Sequence, residues 1–143
     1  MKNLVWHDEY MLGIPAVDIQ HKRIFDCFVS IGREGLPERG GWLADPLFVR
    51  LIDALQKHFA LEEAMMRNLN YPELEQHIDE HRQLRDELNA LAQRAAEAEG
   101  RGSHRMIKIF ERWQHKHIMT TDRRYVEYFQ NPMQKKAGSA TRS

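Results

Sequence analysis

The chain has 143 residues, 42% hydrophobic and 29% charged, the composition of one soluble globular domain with room for a core. Its 21 Lys+Arg balance its 21 Asp+Glu, and no extended basic stripe points to nucleic acid or an anionic membrane as partner. Cys27 is the single cysteine, which excludes an internal disulfide. The opening MKNLVWHDEYMLG has no signal-peptide apolar run, and nothing approaches the roughly eighteen consecutive apolar residues of a membrane span, so a cytoplasmic protein without membrane insertion is expected. The unusual feature is eight histidines.

Residues 1–15 carry Trp6, Tyr10, Gly13 and Pro15 without helical periodicity, and are expected to form an ordered arm that packs its aromatics on a neighbour. From about Ala16 the positions Val17, His21, Ile24, Phe25, Phe28 and Ile31 recur at intervals of three and four, which predicts an amphipathic helix over about 16–34. The breaker-rich stretch from Gly35 to Gly41 ends it. Asp45-Pro46 then offers a cap acceptor followed by proline at the first helical position. The second helix, about 45–69, carries Phe48, Leu51, Leu55, His58, Phe59 and Glu62 on one stripe, and Asn70-Tyr71-Pro72 forces a turn.

A third helix is predicted over about 72–99, with Leu74, His77, His81, Leu84, Leu88 and Leu91 inward, until Gly100-Arg101-Gly102 breaks it. The fourth, about 103–130, has Ser103 as its expected cap and Met106, Phe110, Trp113, His117 and Tyr128 on its stripe. Asn131-Pro132 stops it, and the polar tail 133–143 is expected to fray. The fold class is therefore all-α, a single domain over 1–132 built as an antiparallel up-down-up-down four-helix bundle with an N-terminal arm. A three-helix fold with a long arm is the alternative.

His21, His58, His77, His81 and His117 fall on the apolar stripes together with Glu62, whereas His7, His104 and His115 do not. A single inward histidine is ordinarily a satisfied core residue. Taken jointly, that explanation fails on magnitude. An unpartnered buried carboxylate carries a penalty of several kcal/mol, against a domain stability of only ~5–15 kcal/mol. A bound cation compensates such a set, because imidazole nitrogen and carboxylate oxygen are both natural ligands. His58 and Glu62 are four apart, as are His77 and His81, so each pair shares a helix face. His117 and Asp122 are five apart and diverge by roughly 140° on an α-helix. Both can point inward only if the fourth helix unwinds locally or carries a π-bulge. The alternative for Asp122 is an exposed acid paired with Arg123 or Arg124.

Asp18-Ile19-Gln20-His21, His58-Phe59-Ala60-Leu61-Glu62-Glu63 followed by Met66, Tyr71-Pro72, the His77/His81 pair, and Trp113, His117-Ile118, Asp122 and Tyr125 resemble the successive motifs of the hemerythrins. Trp6 and Gly13-Ile14-Pro15 are similar to the bacterial branch, and the resemblance spans about residues 4–130. It implies a non-haem di-iron centre, two iron ions (Fe2+/Fe3+) with a bridging oxo or hydroxo group. By position, His77, His81 and His117 would ligate one iron, His21 and His58 the other, and Glu62 and Asp122 would bridge. The first iron is then six-coordinate and the second five-coordinate. The resemblance implies reversible dioxygen binding at the open position, end-on as hydroperoxide, for carriage, storage or delivery. It implies no enzyme. An O2 or redox sensor module, or a di-iron peroxidase or oxidase, is the alternative, and a protein partner receiving O2 or a signal is compatible with any of these.

The same resemblance makes Phe25, Phe59, Met66, Trp113, Gln114 and Ile118 the expected lining of the O2 pocket, although such residues at helical spacing also serve as core. Gln114 departs from the apolar residue usual there, and a polar side chain at that place is expected to admit water or hydrogen-bond the oxygen. Asp18 and Gln20 are candidate partners of His21, with helix initiation the alternative for Asp18, and Glu63 is expected to be solvated. A HExxH protease is excluded because Ile78 follows His77. Cys27, flanked by phenylalanines, reads as a small core residue rather than a nucleophile.

Overall fold

A computed structural model describes residues 5–98 and 101–130. Among them there is no strand, and four helical rods pack as a bundle. Helix α1 spans Pro15–Glu34, α2 Pro46–Asn68 and α3 Leu74–Gln93. The fourth rod is α4, Gly102–Trp113, continued without a break by π-helical turns over Gln114–Asp122 and by α5, Arg123–Gln130. Three short 3-10 turns, Asp8–Tyr10, Trp42–Ala44 and Ala95–Ala98, lie outside the rods. Each of α1 to α3 packs on the next, α3 packs on α4, and α4 closes against α1. A 23-residue α2 is about 34 Å long at 1.5 Å per residue. The few residues before α3 cannot cover that distance, so the chain must reverse.

Local chemistry sets the boundaries. Pro15 and Pro46 occupy first-turn positions of α1 and α2, where a missing N–H costs nothing. The Asp45 side chain accepts from Leu47 N at 2.9 Å, as its place before Pro46 predicts. α1 ends at Gly35, whose φ of 76° is open to glycine and whose N–H reaches Ile31 O at 2.8 Å. Asn70 takes a left-handed φ of 53° in the turn before α3, a conformation asparagine tolerates. Ser103 does not cap α4. Its hydroxyl instead accepts from Leu36 N at 2.8 Å, tying the connection after α1 to the start of α4. The tail from Met133, expected to fray, and the Asn131-Pro132 stop lie outside the described residues, as does Gly100.

The core divides in two. The larger part joins Phe28, stacked on Phe110 at 4.1 Å, with Trp42, Phe48, Leu51, Leu88 and Met106. The smaller joins Leu12, Val17, Met66, Tyr71, Tyr125 and Val126. The arm is ordered by contacts of both kinds. Trp6 sits edge-on to Tyr10 and Phe25 at 5.4 and 5.5 Å, beneath the Lys22 ammonium. Asp18 accepts from Leu12 N and Gly13 N at 2.7 and 3.0 Å, so it holds the arm rather than a histidine. Among the described residues no helix is long and apolar enough to cross a membrane.

Candidate metal centre

Between the two apolar parts lies a band of buried polar residues: His21, His58, Glu62, His77, His81, His117 and Asp122, none more than 3% exposed. α1 contributes one, α2 two, α3 two and the fourth rod two. The π-helical turns are what bring Asp122 in. Their wider turns close i to i+5 instead of i to i+4, which returns residue 122 to the face of residue 117. Asp122 Oδ1 thus lies 3.0 Å from His117 Nε2 on its own rod and 2.8 Å from His77 Nε2. Its other oxygen is 3.2 Å from His21 Nε2. Glu62 Oε1 is 2.8 Å from His58 Nε2 and 3.3 Å from His81 Nε2.

Two overlapping donor groups result. One comprises Glu62, His77, His81, His117 and Asp122, the other His21, His58, Glu62 and Asp122, each with donor atoms within 4.8 Å of one another. The five Nε2 atoms and all four carboxylate oxygens are shut from solvent, close together, and without a properly angled hydrogen bond. Buried polar atoms are ordinarily paired. A set of orphaned lone pairs converging on shared carboxylates is what a metal pair requires, so these residues fit one.

The far side of each ring decides which nitrogen faces inward. His58 Nδ1 donates to Gln20 Oε1 at 2.9 Å, His81 Nδ1 to Glu63 Oε2 at 2.9 Å, and His117 Nδ1 to Glu80 Oε2 at 2.7 Å. The acceptor fixes the proton on Nδ1 and leaves the Nε2 lone pair for the interior. Thr121 in turn donates to Glu80 at 3.3 Å. Among the described residues His21 Nδ1 and His77 Nδ1 find no hydrogen-bond partner. Glu63 is therefore not a solvated bystander, because α3 brings His81 across to it. Gln20 serves His58 rather than His21. Glu80 is the functional residue that sequence reasoning missed. Its only local signal was its place beside His81, while its partner His117 is on another helix.

Without metal, burial works against a charge on His117, yet the Asp122 carboxylate 3.0 Å away and the hydrogen bond to Glu80 raise its pKa to about 10. At His58 burial prevails and the pKa falls, despite Glu62. Burial and mutual repulsion would raise Asp122 and Glu62, but the facing histidines hold both below the usual carboxylate range. Glu80 is likewise held low by His117, against its burial. In the metal-free protein a proton on His117 thus supplies part of the missing positive charge. The buried Tyr125 hydroxyl has no well-angled partner, and burial, then the Glu62 and Asp122 charges, raise its pKa.

The six residues expected to line one pocket divide among several surroundings. Phe59 stacks on His81 at 4.0 Å and Trp113 on His117 at 5.3 Å, both nearly parallel. Ile118 lies in the same larger part of the core, and Phe25 belongs to it beneath Trp6 and Tyr10. Met66 packs in the smaller part. Gln114 is buried, its side chain close enough to the Tyr10 hydroxyl of the arm to favour that group's ionised form slightly, against burial and Glu9, which raise its pKa. Two surface grooves approach the histidines. One of about 220 Å³ between α3 and α4 is bordered by Glu80, Trp113 and His117, and one of about 200 Å³ between α2 and α3 by Phe59, Glu63 and His81.

Residues 12–129 match the family model described as the hemerythrin HHE cation binding domain. A bacteriohemerythrin of Pseudomonas aeruginosa (strain LESB58) is 27% identical over 133 residues, covering 93% of this chain and 86% of the relative. Bacteriohemerythrins of Clostridium acetobutylicum and Stenotrophomonas maltophilia are 23% and 26% identical, over 86% and 89% of this chain and 98% and 82% of their own. No solved structure gives a significant match.

Proposed function

Because the chain belongs to the hemerythrin HHE cation-binding family, we propose that it binds dioxygen reversibly at a non-haem di-iron centre. Its relatives' name, bacteriohemerythrin, supports the reading. The observation that carries it is the inequality of two donor groups sharing both carboxylates, three histidines on one side and two on the other. His77, His81 and His117 would hold one iron, His21 and His58 the second, and Glu62 and Asp122 would span both. Iron bound by these residues would supply the reversible electron transfer that holding and releasing O2 requires. The side with fewer histidines, His21 and His58, would be the side with room for the ligand.

The chain's own residues make such binding reversible rather than consumptive. All seven donors are buried, and the flat faces of Phe59 and Trp113 cover His81 and His117, which keeps bulk water from the rings. The Nδ1 contacts of His58, His81 and His117 hold three rings in place while charge in the centre changes. The test is anaerobic reduction of the iron-loaded chain, then air. Two irons per chain and a visible spectrum that appears with O2 and disappears when O2 is withdrawn are expected. Irreversible bleaching with peroxide turnover would favour an oxidase or peroxidase, and a chain that takes up no iron would overturn the proposal.

A further inference from the structure

The two donor groups share their carboxylates but differ in what stands behind their imidazoles. In the three-histidine group, His81 and His117 donate from Nδ1 to carboxylates, Glu63 at 2.9 Å and Glu80 at 2.7 Å. In the two-histidine group, His58 donates to the neutral amide of Gln20 at 2.9 Å, and His21 Nδ1 finds no partner among the described residues. The side chains of Glu63 and Glu80 are 22% and 21% exposed, and each opens onto a groove holding basic residues, Arg82 and Arg85 for Glu63, Arg112 and Lys116 for Glu80. A cation at Nε2 draws positive charge onto the ring. A carboxylate behind Nδ1 stabilises that charge more than an amide does, because a hydrogen bond to an ionised acceptor is roughly twice as strong as a neutral one.

We propose that the two positions fill in a fixed order, the His77–His81–His117 position first and tightly, the His21–His58 position second and exchangeably, with Glu63, Glu80 and Gln20 as the residues that set the gap. The proposal rests on the di-metal reading above and adds to it. Counting histidines alone gives the first position one extra donor, whereas the hydrogen bonds behind them widen the difference through residues that touch no metal. Gln20 is the positioning residue that keeps the second cation removable. At limiting metal the chain then holds one cation at the three-histidine position, and only the second loading completes the pair.

The experiment is an anaerobic calorimetric titration of the chelator-stripped full chain with Fe2+, and separately with Zn2+, while NMR follows the histidine ring resonances. Two steps of one cation each are expected, the first moving His77, His81 and His117 and the second His21 and His58. Glu63→Gln and Glu80→Gln should each weaken the first step about 10- to 100-fold and leave the second almost unchanged, and Gln20→Glu should tighten the second. All three substitutions nearly preserve side-chain volume at partly exposed positions, and circular dichroism verifies folding. Two cations bound with equal affinity, or both steps weakened alike by Glu80→Gln, would overturn the order while leaving the di-metal reading standing. Failure to bind a second cation under any condition would overturn both.

Discussion

Asp18 shows how one carboxylate can be read for the wrong partner. Its place in the Asp18-Ile19-Gln20-His21 run suggests a contact with His21, but its oxygens accept from two arm amides, Leu12 N and Gly13 N. Hydrogen bonds to an ionised acceptor contribute about 1.5–3 kcal/mol, and an amide left buried without one adds its desolvation cost. Asp18→Ala is therefore expected to lower stability by about 1.5–3 kcal/mol and to release the arm, which urea unfolding and the fluorescence of the Trp6 environment measure. Unchanged fluorescence and midpoint would show that the aromatic contacts of Trp6 and Tyr10 hold the arm unaided. The burial of six of the seven polar residues was legible from sequence, since a histidine or glutamate on an apolar stripe announces itself by period alone, whereas spacing left Asp122 open. The residues behind them were not legible. Gln20, Glu63 and Glu80 lie at ordinary polar positions of their own helices, and only the lateral packing of α2 on α1, α3 on α2 and the fourth rod on α3 decides which imidazole each one meets.

At the scale of elements, stripes and breakers placed four helices, and the five-residue gap between His117 and Asp122 required a departure from α pitch. The π-helical turns over Gln114–Asp122 are that departure. Sequence could state the requirement without choosing between unwinding and a bulge, because both deliver the same two side chains. The end of α3 was less legible. Helix-favouring alanines and glutamates run on past Gln93, yet the chain tightens into a 3-10 turn over Ala95–Ala98. Gly102 illustrates what the breaker pattern conceals. It reads as a helix stop, but it begins α4 against the buried Trp42, and a Cβ there would lie 2.5 and 2.8 Å from Trp42 Cζ2 and Cη2. Trp42 is pinned by its indole N–H bond to Pro37 O at 2.8 Å, so it cannot yield freely. Gly102→Ala should cost about 1–3 kcal/mol through overpacking, seen as a lower urea midpoint. Metal stoichiometry should not change, since Trp42 touches none of the seven donors; a normal midpoint would mean that the connection carrying Trp42 shifts without cost.

The whole molecule is a bundle whose two apolar parts are joined by a charged middle, so its stability depends on what occupies that middle. In the metal-free protein His117 keeps its proton up to a pKa of about 10, whereas the unfolded chain releases it near 6.5. Between those values the folded state binds one proton more than the unfolded state. Stability contributed by that proton is complete below about 6.5 and declines as pH rises toward 10, with a limiting slope of ~1.4 kcal/mol per pH unit. Glu62 and Asp122 act in the opposite sense at the acid end. Held below their ordinary values, they contribute stability that is lost as pH falls beneath the usual carboxylate range. A cation bound through His117 Nε2 must displace the proton, so its affinity rises about tenfold per pH unit over the same interval in which the metal-free fold weakens. The two trends offset each other in the loaded protein, because neither its folded nor its unfolded state then carries the His117 proton. Thermal unfolding from pH 7 to 9.5 should therefore show a falling Tm for the chelator-treated chain and a nearly level one for the metal-loaded chain, the difference widening steadily. A metal-free Tm as level as the loaded one would mean that no proton is held at His117, and that the two carboxylates of the bundle's middle are neutralised in some other way.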